Sequence, residues 1–274
     1  MYNSEDNNLK NNTAESQTES QTEDFSDAFT LFGRNAGCSL KLRGKVVLIN
    51  FLVSDGDSSW DDESVEAAVR MMKAASKRLM DESGLNKKDL QVAYAYCKVS
   101  IPYIVDRRLS SRCVPDVLKL FGYDSVTKYQ RHYEEKFSRD ETAVSFIFNK
   151  DFRSYAHMLQ NSSIVEHTVP DGDEYSIVSF NKNDPVDSER TFLHELFHQF
   201  GAIDYYYPAK VRVVSAKYMP DSIMCSGNVI DEFTRYLIGW DNELSENSKK
   251  FLNEIKDIPI EEFDYARKEE YLRG

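Results

Sequence analysis

The tightest constraint on this chain is five residues long: His194-Glu195-Leu196-Phe197-His198. On a helix, positions four apart share one face one turn apart, so the two imidazoles can grip a single ion. Glu195 follows the first histidine and points beside that ion, where a general base would hold a water. Leu193, Leu196, Phe197 and Phe200 are apolar and occupy the other faces, which predicts a helix packed into a core. A catalytic zinc usually takes three protein ligands, so two imidazoles leave the site incomplete. Gly201 stands three residues past His198, where a left-handed conformation would stop the helix and turn the chain back. Asp204 is then placed to supply an oxygen, and the full pattern is H-E-x-x-H-x-x-G-x-x-D. The two-histidine pattern alone also occurs in ordinary core helices; Gly201 and Asp204 are what favour the metal reading.

With these residues the sequence resembles the metzincin metallopeptidases. Their usual pattern has histidine at the position of Asp204, and the aspartate form is similar to that of snapalysin-like members. Ser222-Ile223-Met224-Cys225-Ser226 is similar to the family's Met-turn, and residues 229–240 to its closing helix. The resemblance spans about residues 45–240. It implies an α+β zincin fold: a mixed five-stranded twisted sheet with an antiparallel edge strand, a backing helix, the active-site helix and C-terminal helices. It also implies one catalytic Zn²⁺ held by His194, His198 and Asp204, with Glu195 as general base and Met224 as an apolar floor. The implied reaction is endopeptidase hydrolysis of an extended peptide or protein. The family's tyrosine after the Met-turn has no counterpart, because Cys225, Ser226, Gly227 and Asn228 follow Met224. One of Tyr205, Tyr206 and Tyr207 is a candidate for that hydroxyl, with aromatic packing around the Asp204 loop as the alternative. A carboxylate in place of a third imidazole tolerates other divalent ions somewhat better, with zinc the first choice. A catalytically latent zincin-fold binding module and a narrowly targeted effector or toxin protease are the rival readings. The intact Glu195 weighs against an abandoned active site.

Hydrophobic residues make up 41% of the 274, enough for a sizeable core, and the formal charge of −12 argues against nucleic acid or anionic lipid as partners. No run approaches the roughly 18 apolar residues that span a membrane. No basic segment followed by an apolar run opens the chain, so a cytoplasmic location is expected, or a secreted one if a leader has been removed. The sequence leaves the oligomeric state open. Cys38, Cys97, Cys113 and Cys225 show no C-x-x-C spacing and are too few for a disulfide scaffold. Cys97 sits in an apolar strand-like run and reads as buried and reduced. The residues around Cys113 faintly resemble the cysteine-switch segment of matrix metalloprotease precursors but lack its glycine, so a loop cysteine is expected there.

Residues 1–24 are polar and read as a disordered tail, and 25–274 as one catalytic domain with its core at about 45–240. Strands are expected over 45–53, 90–99, 143–148 and 174–180, with the edge strand at 163–169 carrying Glu166 and His167. A long helix should run over 60–83, capped by Ser58 or Ser59, and Gly84 should end it. An insertion at about 100–140 carries helices over 116–121 and 125–137, the second presenting His132 as a surface residue. A short helix is expected over 151–159, containing His157. Asp187 or Ser188 should cap the active-site helix. The segment from Tyr205 through Pro208 and Val211–Val214 is read as a pocket wall. The extension 241–274 should form amphipathic helices through Phe251, Leu252, Ile255, Ile258, Phe263 and Tyr271.

Overall fold

Strand β1 (Gly44–Ser54) is apolar at nearly every position because it is covered on both faces. Residues along a strand alternate between faces, and two separate cores divide them. Val46, Leu48 and Leu52 enter the larger core, whereas Val47, Ile49, Phe51 and Val53 enter a second one. The computed structural model describes residues 41–106, 110–157 and 173–258. The tail, Cys38, the expected edge strand with Glu166 and His167, and Phe263 and Tyr271 lie outside the described residues.

β1 is flanked by β2 (Leu90–Ser100) and β3 (Glu141–Phe148), both parallel to it over long registers. Among the described residues the sheet has five strands in the order β2-β1-β3-β5-β4, where β4 is Tyr155–His157 and β5 is Tyr175–Ser179. β5 runs parallel to β3, and β4 runs antiparallel to β5 with Ala156 opposite Ser176. The mixed sheet with an antiparallel edge strand is therefore present. The residues around His157, however, form that edge strand rather than a short helix: three residues carry no periodicity, and pairing with β5 alone makes them a strand.

On one face lie α1 (Asp62–Glu82) and α4 (Pro185–Gln199), which contribute Met71, Met72, Leu79, Phe192, Leu196 and Phe197 to the larger core. On the other lie α2 (Cys113–Lys119) and α3 (Val126–Phe137), within the insertion expected at about 100–140. His132 is exposed, as read. α1 is capped by Asp61, which accepts from Ser64 N at 2.8 Å. Ser58 is withheld from that role because Asp55 accepts from both its amide and its hydroxyl, at 2.9 and 2.6 Å. Cys113 is a further correction. It opens α2 fully buried, and burial with the charge of Asp116 pushes its thiol up to about 12, so it supplies no thiolate near neutral pH. Cys97 is half-buried, and burial raises its thiol to about 11.

Beyond α4 the chain forms α5 (Ala209–Tyr218), α6 (Glu232–Leu237) and α7 (Glu246–Ile255). α7 docks on the body: Phe251 packs 5.2 Å from Tyr205 and 5.3 Å from Phe233 between ring centroids. Val211 and Val214 lie on α5 and are buried in the larger core rather than lining a pocket. Among the described residues no helix is long and apolar enough to cross a membrane.

Candidate metal centre

The helix that carries the site is fixed at both ends and along its apolar faces. Asp184 caps α4 by accepting from Asp187 N at 3.0 Å, with Pro185 in the first turn where its missing N–H costs nothing. Ser188 is occupied elsewhere, donating to Asn181 O at 3.0 Å and accepting from Asn181 N at 3.1 Å. Phe192, Leu193, Leu196, Phe197 and Phe200 are fully buried. Each such side chain is worth about 1.5–3 kcal/mol in transfer free energy, which sets the helix rotation and thereby the face that presents the histidines. The helix stops at Gly201, whose φ of +93° would strain any other residue.

His194 and His198 bring their Nε2 atoms to 3.2 Å from each other, with rings nearly perpendicular. Asp204 Oδ1 stands 3.1 Å from the first and 3.2 Å from the second. Each imidazole donates its other nitrogen to a carbonyl: His194 Nδ1 to Ile223 O and His198 Nδ1 to Ala202 O, both at 2.8 Å. When both imidazoles are neutral the proton sits on Nδ1, and three lone pairs then converge on one point. Asp204 Oδ1 is buried there and accepts no hydrogen bond of good geometry, although its side chain as a whole is 27% exposed. Four ligands at about 2.0–2.1 Å in a tetrahedron stand about 3.3 Å apart, close to the triangle seen here. The residues therefore fit a metal ion, and His194, Glu195 and His198 form a group able to hold one, their ligand atoms lying within 4.8 Å of one another.

The electrostatics agree. Burial disfavours charge on His194, but its contact with Asp204 and the charges of Glu195 and Asp204 outweigh this and push it up to about 9. Burial would raise Asp204, yet the two imidazoles hold its carboxyl well below the usual carboxylate range. Both shifts express a site that calls for positive charge. Glu195 is 5% exposed, and burial raises its carboxyl above the ordinary value, tempered by the histidines and by Arg153.

Met224 is fully buried, and its backbone ties the ligand loop together. Met224 O accepts from Tyr205 N at 2.8 Å, and Met224 N donates to Ser222 Oγ at 3.0 Å. Ser222 in turn donates to Asp231 at 2.6 Å. Asp231 also accepts from Phe233 N, Thr234 N, Thr234 Oγ1 and Tyr205 Oη. The carbonyl that orients His194 thus hangs on a buried carboxylate that caps α6. Asp231 was not singled out in the sequence, although an aspartate opening a predicted helix is a legible capping signal. In this segment Gly227 leaves no room for a side chain, since a Cβ would sit 2.0 Å from the Asp221 carbonyl oxygen. Gly227→Ala should destabilise the fold by about 2–3 kcal/mol through the forced backbone shift, read as a lowered denaturant midpoint; an unchanged midpoint would mean the loop yields without cost.

The three tyrosines separate. Tyr205 is fully buried with its hydroxyl on Asp231 and Thr234, so it does not reach the cleft. Tyr206 stacks on His194, with centroids 6.1 Å apart and planes at 17°, and lines the cleft. Tyr207 is not among the cleft-lining residues. The cleft has a volume of about 400 Å³ and is walled by Arg153, Asn181, Arg190, His194, Glu195 and Tyr206 among others. Arg190 pairs with Asp187 and donates to Ser226 O at 3.0 Å. Cys225 lines the same cleft, whereas Cys113 does not. Arg153 had no local signal in the sequence. No protein-family model matches the chain, and no curated protein matches it significantly.

Proposed function

We propose that the chain is a zinc-dependent endopeptidase. The observation that carries this reading is the convergence of His194 Nε2, His198 Nε2 and Asp204 Oδ1 at 3.1–3.2 Å, with Glu195 buried beside them. His194, His198 and Asp204 would hold the ion. Two nitrogens and one oxygen suit zinc, and three protein ligands leave a position open. Bound zinc supplies a Lewis acid that polarises a carbonyl and acidifies water. Glu195 accepts a proton from the attacking water and returns it to the leaving nitrogen, and its buried carboxyl has the raised pKa that such shuttling needs. Tyr206 stacks on His194 and bounds the cleft in front of it.

Two further features support a peptide substrate. The resemblance to metzincins, in residues His194 to Asp204 and Ser222 to Ser226, implies it. The antiparallel edge strand β4 pairs only with β5 among the described residues, and its other edge can take an extended peptide by strand addition. The test is metal content of the purified full-length protein, paired with cleavage of a mixed peptide library with and without chelator. One zinc per chain and chelator-sensitive cleavage is the expected result. One zinc without cleavage points to a binding module or a single-target protease; no metal would overturn the reading.

A further inference from the structure

We propose that Gln199 is a positioning residue for the metal centre: it pins the last turn of α4 to the sheet and so sets where His198 presents its Nε2. The proposal rests on the zinc reading above and adds a residue to which neither the sequence nor the resemblance assigned a role.

Gln199 is the last residue of α4 and follows the second histidine directly. Its side chain is fully buried beside the apolar residues that seat the helix, where a polar group is costly unless it is paired. Both ends of its amide are paired, and both partners lie on the sheet. Oε1 accepts from Val144 N of β3 at 3.1 Å, and Nε2 donates to Ser176 Oγ of β5 at 3.0 Å. Ser176 Oγ lies 2.7 Å from Ser145 Oγ. Asn50, Ser145 and Ser176 are register partners on β1, β3 and β5, and all three are buried. They alternate with Leu48, Leu52, Ile147 and Val178, so they lie on the face that carries α4. A polar row thus crosses that apolar face, and Gln199 enters it. The Val144 contact is in effect a strand bond made by a helix. The β3–β5 ladder begins one residue later, at Ser145 opposite Ser176, and the Gln199 carbonyl stands in for a strand carbonyl at Val144.

Apolar contacts and hydrogen bonds hold a helix in different ways. Burial of Leu196, Phe197 and Phe200 fixes which side of α4 meets the sheet, but that force is non-directional and tolerates small slides along the axis. Two bonds from one planar amide to two strands are directional and do not. Consecutive helix residues point about 100° apart, so with Gln199 held on the sheet His198 is turned toward Asp204. The same turn launches the loop that carries Asp204. His198 Nδ1 donates to Ala202 O at 2.8 Å, and Ala202 N donates to Phe197 O at 3.0 Å. A slip of this turn therefore displaces His198 and the loop together, relative to the Ile223 carbonyl that holds His194.

The test separates positioning from plain stability. Zinc affinity would be measured on the full chain by competition with a chromophoric chelator for the wild type, Gln199→Met, Ser176→Ala and Val117→Ala. Each protein would also be loaded with cobalt(II), whose visible absorption reports coordination geometry. Methionine keeps the length of Gln199 and removes both bonds, while Ser176→Ala removes only the hydroxyl that Nε2 reaches. Val117 is buried in the second core, away from α4, so Val117→Ala should lower the denaturant midpoint and leave both metal readouts unchanged. Supports of metal ligands are typically worth 10–100-fold in affinity, so Gln199→Met should weaken zinc about tenfold and shift the cobalt spectrum. Ser176→Ala should weaken zinc about threefold, and it decides the matter if Gln199→Met does not fold. Wild-type affinity and an unshifted cobalt spectrum in the folded variants would overturn the positioning role. So would an equal loss of affinity in Val117→Ala, which would make the effect one of stability. A wild-type protein that binds neither metal would overturn the metal reading itself, an outcome distinct from intact binding insensitive to Gln199.

Discussion

Glu195→Gln should retain one zinc per chain and lose about 10²–10⁴-fold in peptide cleavage, the range a positioned general base contributes. The amide keeps the size and burial of the carboxylate, so α4 and its histidines have no cause to move, but it cannot take a proton. Glu195 is nine-tenths or more removed from solvent, and burial raises its pKa above the ordinary glutamate value. The sign for activity follows: the base form is lost as pH falls through that raised value. The acid limb of kcat/KM in the wild-type protein should therefore lie above the usual carboxylate range. Zinc content by metal analysis and turnover of a library-derived peptide are the two readouts. Retained turnover with retained zinc would remove Glu195 from the chemistry and leave the ion without its base.

Much of this arrangement was legible because it rests on short-range periodicity. Histidines four apart, apolar residues on the remaining faces and a glycine at the stop position specify α4 without reference to the rest of the chain. The four longer strands were equally legible as β-rich runs, of which β1, β3 and β5 are buried on both faces while the outer β2 is largely half-exposed. What failed depended on partners distant in sequence. Residues 155–157 become a strand only by pairing with Tyr175–Ile177. Ser58 and Ser188 are plausible caps until Asp55 and Asn181 claim their hydroxyls. The three consecutive tyrosines are indistinguishable by type, and Asp231 draws the first into the core while the second stacks on His194 at the cleft. Arg153 itself is an exposed arginine in the link between β3 and β4, and nothing local distinguishes it from other surface cations.

Asp204→Asn should lower zinc affinity by more than about 100-fold, beyond the range typical of outer-shell partners. The substitution keeps an oxygen at the same reach and removes the negative charge, so it isolates the part of the ligand that a divalent ion uses most. Asp204 also holds His194 up to about 9, so in the wild-type protein zinc must displace a proton at any pH below that value. Without the carboxylate this proton binds less tightly, and the variant's residual affinity should vary less steeply with pH. The two substitutions are crossed: Glu195→Gln keeps the metal and loses turnover, whereas Asp204→Asn loses the metal and turnover with it. If the roles were exchanged, the metal would leave with Glu195 instead, because its carboxylate lies within 4.8 Å of both ligand nitrogens. Unchanged zinc affinity in Asp204→Asn would thus move the third ligand to Glu195 and leave Asp204 as the partner that orients the imidazoles.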